Sequence, residues 1–363
     1  MTPPRTVSRF SRRTAIVGAA AGLTILVPRR SLAAKAEYKV TEFRLPEEAT
    51  GPATGRGINR KATVVGVVIT DAGPQAVRSV GGELRLLYPD SKSSVANAIN
   101  DAGRIVGAVE LSASWWDNEG EGGGFGLGMD ASTAYAVNRN NVIVGSSDSG
   151  ANKSVAISFD GDRATELPSL GGPSSRALAV NNDGIVAGYS TEDDAGEHLR
   201  AVIWVGGEIQ SIGTLGGDGS QAFAINGAGH VTGCAIPDDT FGSVDTAFIY
   251  RDAEMVALTR LSKTKLTGRK KSVALERCVG YAINDDDVVV GASMSVSENN
   301  PISVACRWIG DEVVDLNTLI GDVAEDIILA SADGINADGE IVATGHRVGD
   351  DVTNTLVYRL VPR

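Results

Sequence analysis

Few residues in this sequence are spaced for chemistry. His198, His230 and His346 are the three histidines, so the commonest general base is scarce. There is no Ser-His-Asp spacing, no Cys-His pair, no phosphate-cradling glycine loop and no paired metal-ligand pattern. Cys234, Cys278 and Cys306 are odd in number and far apart, which suits buried free thiols better than a disulfide framework. No cofactor is implied.

The chemistry that remains is that of charge and of one aromatic ring. Asp193, Asp194, Asp238, Asp239, Asp350 and Asp351 form three acidic pairs. A calcium ion wants several carboxylate and carbonyl oxygens converging at about 2.3–2.6 Å, and none of the pairs has calcium-loop spacing. Solvated acidic loops are the plainer reading, and no metal is expected. Lys263, Lys265, Arg269, Lys270 and Lys271 make a basic island in an otherwise acidic chain. The island suits an anionic ligand such as a uronate or phosphate, contact with the acidic loops, or simple exposure. Trp115 precedes Trp116 and faces the other side of any strand they share. It can stack on a sugar or pack against the glycine-rich stretch 120–128. Asp285-Asp286-Asp287 reads as turn chemistry alone.

Ser11-Arg12-Arg13 lies between a basic start and the apolar run Ala15 to Val27. This is the pattern of a twin-arginine export signal, and thirteen apolar residues are too few to span a bilayer. Small residues near Ala34 place the cut so that residues 1–36 are removed. They hold seven Arg or Lys and no acid, so their loss takes the formal charge from −12 to −19. A chain this acidic does not suit nucleic acid or an anionic membrane surface as partner.

Positioning falls to a repeat. Ala222-Phe223-Ala224-Ile225-Asn226-Gly227-Ala228-Gly229-His230-Val231-Thr232-Gly233 shows it best, and its Asn recurs at Asn59, Asn100, Asn138, Asn181, Asn226, Asn284 and Asn336. The spacings are 41, 38, 43, 45, 58 and 52 residues. Residues two and four places before each Asn are always Gly or Ala, and the residue directly before it is Ile or Val. That period-two alternation predicts a strand with one crowded face. A residue suited to the left-handed conformation follows three places after the Asn in six copies, with Ala62 the exception. A second strand follows, then a third ending in Trp116, Phe159, Trp204, Tyr250, Trp308 or Tyr358, and then a fourth.

Four strands in about 45 residues, repeated seven times, predict an all-β, seven-bladed β-propeller of four-stranded antiparallel blades. The last copy stops after three strands, while Tyr38 to Leu45 has a fourth-strand pattern. The N-terminal strand is therefore expected to complete the last blade and remove the open edge. The domain reading is a signal peptide over 1–36 and one propeller over 37–363.

The phrase Ala-x-Ala-Ile-Asn-x-x-Gly-x-Val-x-Gly, with Leu215-Gly216-Gly217 before it and Thr246-Ala247-Phe248 after it, resembles the HAF repeat of exported bacterial and archaeal proteins. The resemblance covers residues 38–360 and implies export and a repeat fold. The His that gives that repeat its name is Thr246 here. The family carries no defined activity.

Function is sought where the copies differ. Three places before the Asn, four consecutive copies carry Tyr135, Leu178, Phe223 and Tyr281, and the other three carry Asp333, Arg56 and Asn97. The three polar positions are adjacent once the ring closes. They form either a seam-locking Asp333–Arg56 pair or a ligand site in the channel. The sequence thus suggests an exported, non-catalytic module binding a glycan, peptide or protein in the periplasm or outside the cell. The alternatives are a lyase or hydrolase acting on envelope polysaccharide at the channel mouth, and a structural envelope module.

Overall fold

The alternation of small and β-branched residues before each repeated Asn forms the innermost strand of a blade, and seven such strands neighbour one another in a closed ring. In this computed structural model the described residues are 38–117, 122–125, 131–149, 153–193, 195–238, 245–264, 272–296, 302–321 and 325–363. The expected signal, residues 1–36, lies outside them. The inner strands of blades 1 to 7 are Ala49–Ile58, Ser94–Ile99, Ala131–Val137, Ser175–Val180, Gly216–Ile225, Arg277–Ile283 and Ile327–Ile335. Each leads an antiparallel four-stranded sheet. The seventh sheet takes its outer strand, Tyr38–Glu42, from the other end of the propeller, paired with Leu356–Pro362. This is the closure expected from the sequence.

The hairpin after each inner strand follows one geometry throughout. Gly103, Gly184, Gly229 and Gly339 take positive φ, and so do Asn141 at 62°, Asp287 at 58° and Ala62 at 59°. Ala62 is therefore no exception in conformation. It holds the left-handed turn at a cost of roughly 1–2 kcal/mol.

All seven inner strands carry a β-bulge, marked by a register shift between the positions four and two before the Asn. The extra residue is the third before the Asn, and it drops out of the ladder. The bulge also thrusts a carbonyl at the neighbouring strand. A Cβ on Gly233 would lie 1.9 Å from the Gln221 oxygen, and Gly66, Gly107, Gly145, Gly188 and Gly291 meet the equivalent oxygen at 1.8–2.1 Å. Only glycine fits there. Blade 7 carries Ala343 instead, because a second bulge between Leu329 and Ser331 moves the tight approach to Gly345. Gly233→Ala is expected to cost about 2–3 kcal/mol in urea denaturation. Gly124→Ala, whose Cβ would meet nothing nearer than 3.6 Å, is expected to stay within about 0.5 kcal/mol.

Blades are joined chiefly by polar bonds near the axis and apolar clusters farther out. Each repeated Asn, only 3–7% exposed, accepts an amide of its own turn through Oδ1 and donates Nδ2 to the carbonyl of the next Asn. The donations run Asn59 to Asn100, then Asn138, Asn181, Asn226, Asn284, Asn336 and back to Asn59, at 2.9–3.5 Å. A second tie lies six places before the Asn. Ser94, Ser132, Ser175 and Ser220 accept the amides of Ala76, Ala113, Ala156 and Ala201 from the preceding blade. Cys278 does the same with sulfur for Ala247, at 3.3 Å. Farther out, Trp116, Trp204, Phe248, Trp308 and Tyr358 fill the clusters between sheets. Trp204 and Trp308 each donate their indole N–H to a carbonyl of the preceding blade.

All three cysteines are buried and free. Burial pushes the Cys234 and Cys306 thiols up to about 12, which leaves almost no nucleophilic thiolate at neutral pH.

Candidate functional site in the channel

The bulges decide what lines the axis, because each turns one side chain out of its ladder at the inner edge of a blade. Contacts between these side chains from different blades show that they converge. Arg56 donates Nη1 to Asn97 Oδ1 at 2.5 Å, and the Phe223 and Tyr281 rings lie 6.3 Å apart, tilted by 49°. Arg56 lies within electrostatic reach of Asp333, and so does Tyr281. The cross-section is therefore two arcs. Asp333, Arg56 and Asn97 form a polar arc on blades 7, 1 and 2, facing Tyr135, Leu178, Phe223 and Tyr281 on blades 3 to 6.

Arg56 is exposed, yet neighbouring protein takes part of its hydration away. That loss of bulk water lowers its pKa, against the opposing pull of Asp333, though a guanidinium stays charged regardless. Asp333 is half-buried, and Thr344 donates its hydroxyl to Oδ2 at 2.7 Å. Desolvation pushes its carboxyl up to about 6, although the hydroxyls of Thr344 and Ser331 and the charge of Arg56 pull the other way. Desolvation likewise raises the Tyr281 phenol to about 12.

Of the two alternatives the sequence leaves open, the seam-locking pair does not form. Among the described residues no ion pair within 4.0 Å joins Arg56 to Asp333. The seam between blades 7 and 1 is held instead by the Ala53 amide on the Thr355 carbonyl at 2.8 Å and by the Thr355 hydroxyl on the Ala53 carbonyl at 2.8 Å. The Gly55 amide on Thr344 Oγ1 and Asn336 on Asn59 complete it. Each of these bonds uses a main-chain group, and none involves Arg56 or Asp333. Asn97 is also committed, because its Nδ2 donates to the Ala134 carbonyl at 2.7 Å. It holds the Arg56 guanidinium in place. Arg176 was not singled out in the sequence, yet it reaches Ser154 Oγ at 3.4 Å and the Tyr135 hydroxyl at 3.5 Å. It adds a second guanidinium beside the aromatic arc.

The remaining candidates lie elsewhere. The Arg104 guanidinium covers the Trp115 indole at 3.8 Å from the ring centroid, and the ring's edge lies against Gly123. Packing against the glycine-rich segment is thus what that side chain does. Asp193 accepts the Glu197 amide and pairs with His198, and Asp351 accepts the Thr353 amide and hydroxyl. These carboxylates build their own turns. Asp238 lies against Gly216, and the amide of Asp350 bonds the Arg347 carbonyl. Among the described residues no three His, Cys, Asp or Glu side chains come together as a metal site, and Asp194 and Asp239 lie outside those residues. Asp285 and Asp287 go beyond turn chemistry: they take the Gly227 amide and the His230 ring nitrogen of blade 5. In the basic island, Lys263 pairs with Ala274 in a two-residue ladder whose Thr264 is pinned to Asp315 at 2.6 Å. Lys265, Arg269, Lys270 and Lys271 lie outside the described residues. Two surface clefts, of about 310 Å³ beside Lys153 and Glu166 and about 420 Å³ beside Arg44 and Glu83, are away from the channel residues.

No protein-family model matches the sequence, and no curated protein matches it either. Solved structures do match in shape. The β-propeller domain of the Trilobed protease from Pyrococcus furiosus, described as having an open velcro topology, is 13% identical with a TM-score of 0.52, over 86% of this chain and 94% of that one. A catalytically inactive virginiamycin B lyase from Staphylococcus aureus with quinupristin is 14% identical with a TM-score of 0.46, over 90% of this chain and 100% of that one. At such identities the likeness concerns the fold alone, and the chain is a seven-bladed β-propeller.

Proposed function

We propose that this chain is an exported, non-catalytic propeller that binds a glycan in its central channel. The observation that carries the reading is the division of the channel into a polar arc around Arg56 and an apolar arc containing Phe223 and Tyr281. A sugar ring has the same division, hydroxyls at its edge and C–H groups on its faces. Ligand sites generally combine an apolar wall with a few fixed polar groups, and aromatic side chains offer large apolar surface at fixed geometry. Export rests on Ser11-Arg12-Arg13 and the apolar run after it, and the HAF-like repeat supports an extracytoplasmic role. The repeated Asn and Ser side chains are used in joining blades, so the variable channel positions are where selectivity resides.

Titration calorimetry against short neutral and acidic oligosaccharides tests this. Saturable binding that weakens about tenfold or more in Phe223→Ala is expected, on the scale of losing one stacked aromatic contact. Binding that survives the substitution unchanged places the site outside the channel. Turnover of a polysaccharide, lost in Asp333→Ala with the fold intact, moves the reading to the lyase or hydrolase.

A further inference from the structure

Building on the channel reading above, we propose that the channel selects an acidic sugar, a uronate, whose carboxylate seats on Arg56. A guanidinium has five N–H donors in a planar fork. Among the described residues its bonds to protein number one, from Nη1 to Asn97 Oδ1, and no carboxylate lies within ion-pair reach. Several other arginines meet an acidic side chain, as in Arg44–Glu83, Arg200–Glu192, Arg277–Asp245, Arg347–Glu42 and Arg359–Glu340, whereas Arg56, like Arg176, does not. An exposed, partly desolvated guanidinium with four N–H donors unused and no carboxylate within ion-pair distance favours an anion from solution. A planar fork favours carboxylate in particular, because two parallel N–H···O bonds are available.

The rest of the site fits that choice. Asn97, tied to the Ala134 carbonyl, fixes the fork before ligand arrives, so little ordering cost falls on binding. The aromatic pair Phe223 and Tyr281 supplies the surface for the sugar's C–H face. Asp333 sets a condition. It is faced by Ser331 and Thr344 of its own blade, by Arg56 of blade 1 and by Tyr281 of blade 6. As a carboxylate it repels an incoming uronate, and as the neutral acid it can donate a hydrogen bond to it. An anionic ligand therefore favours the protonated form. Affinity is highest below the Asp333 pKa of about 6 and declines as pH rises through it, whereas the uronate, with a carboxyl pKa near 3.5, stays ionised throughout.

The experiment compares trigalacturonate with neutral galactotriose by calorimetry on the folded chain, in about 0.15 M salt to screen non-specific attraction. The expected result at pH 5 is a uronate affinity at least about tenfold above that of the neutral sugar. Arg56→Gln should remove the difference, and Arg56→Lys should recover part of it. Between pH 5 and pH 7.5 uronate affinity should fall about tenfold, and Asp333→Asn should hold the pH 5 affinity at both. Neutral and acidic sugars binding alike, both lost in Phe223→Ala, would overturn the acid selectivity while leaving a glycan channel. Neither sugar binding would overturn both. The wild-type comparison needs no variant to fold.

Discussion

Replacing Asn336 by Ala is expected to lower the unfolding free energy by about 2–4 kcal/mol, because one side chain serves two structures and leaves buried partners unsatisfied. Its Oδ1 accepts the amides of Asp338 and Glu340 at 3.0 and 2.9 Å, which fixes the turn. Its Nδ2 donates to the Asn59 carbonyl at 3.0 Å, which joins blade 7 to blade 1. The side chain is 5% exposed, so water does not replace what is lost. Two further variants separate the roles. Asn336→Asp keeps the acceptor for the turn but loses the donor and sets a carboxylate against the Asn59 carbonyl and Glu340, so it should be no better than Ala. Asn284→Ala removes a longer inter-blade arm, 3.5 Å, and should lose less. Urea denaturation followed by tryptophan fluorescence reads all three. A change under about 0.5 kcal/mol for Asn336→Ala would show that the ring of asparagines contributes nothing at the seam.

That ring marks how far the sequence could be read. Strand order, blade number and closure were legible, because period-two alternation and a recurring hairpin leave few architectures. The Asn was legible only as a turn residue, since a bond to the next blade joins residues 38 to 58 positions apart along the chain, or 277 at the seam. A signal was nevertheless present. A turn tolerates Asp or Ser in place of Asn, yet all seven copies keep Asn; a carboxylate could not donate, and a hydroxyl is too short to hold the turn and reach the next blade. Ser94, Ser132, Ser175 and Ser220 carried a similar signal, with Cys278 as the fifth member. That Asp333, Arg56 and Asn97 fall on consecutive blades was legible, but their pairing was not. Opposite charges on adjacent blades suggested an ion pair, whereas the bulges direct Arg56 to Asn97 and Asp333 to Thr344. Periodicity cannot reveal that direction, because the bulge is one residue that breaks the period.

A chain beginning at Phe43, without the strand Tyr38–Glu42, is expected to lose most of its stability. Five ladder pairs with Leu356–Pro362 disappear, and the newly bare strand edge is an aggregation template. Tyr38, 4% exposed, packs among Leu316, Leu319, Ile320 and Leu360, and burying a side chain of that size is worth about 1.5–3 kcal/mol. Arg307 loses a partner as well. It is 8% exposed, its Nε already lacks a partner, and its Nη1 donates to the Tyr38 hydroxyl at 3.1 Å. Removing the tyrosine takes away the hydroxyl that this guanidinium meets, a bond worth about 1.5–3 kcal/mol because the donor is charged. Together these losses rival the roughly 5–15 kcal/mol total stability of an ordinary domain. Size-exclusion chromatography with light scattering should show oligomers or aggregate in place of a monomer, with the thermal transition lowered or gone. Tyr38→Phe isolates the hydroxyl, and its loss should cost about 1.5–3 kcal/mol because the donor is charged. Double replacement, Tyr38→Phe with Arg307→Met, should recover part of that loss, since an apolar side chain of similar length leaves no donor stranded. A truncated chain that stays monomeric and melts with the wild type would mean the ring does not depend on this strand for closure, and the stability of blade 7 would then have to come from its three remaining strands and the paired hydrogen bonds between Ala53 and Thr355.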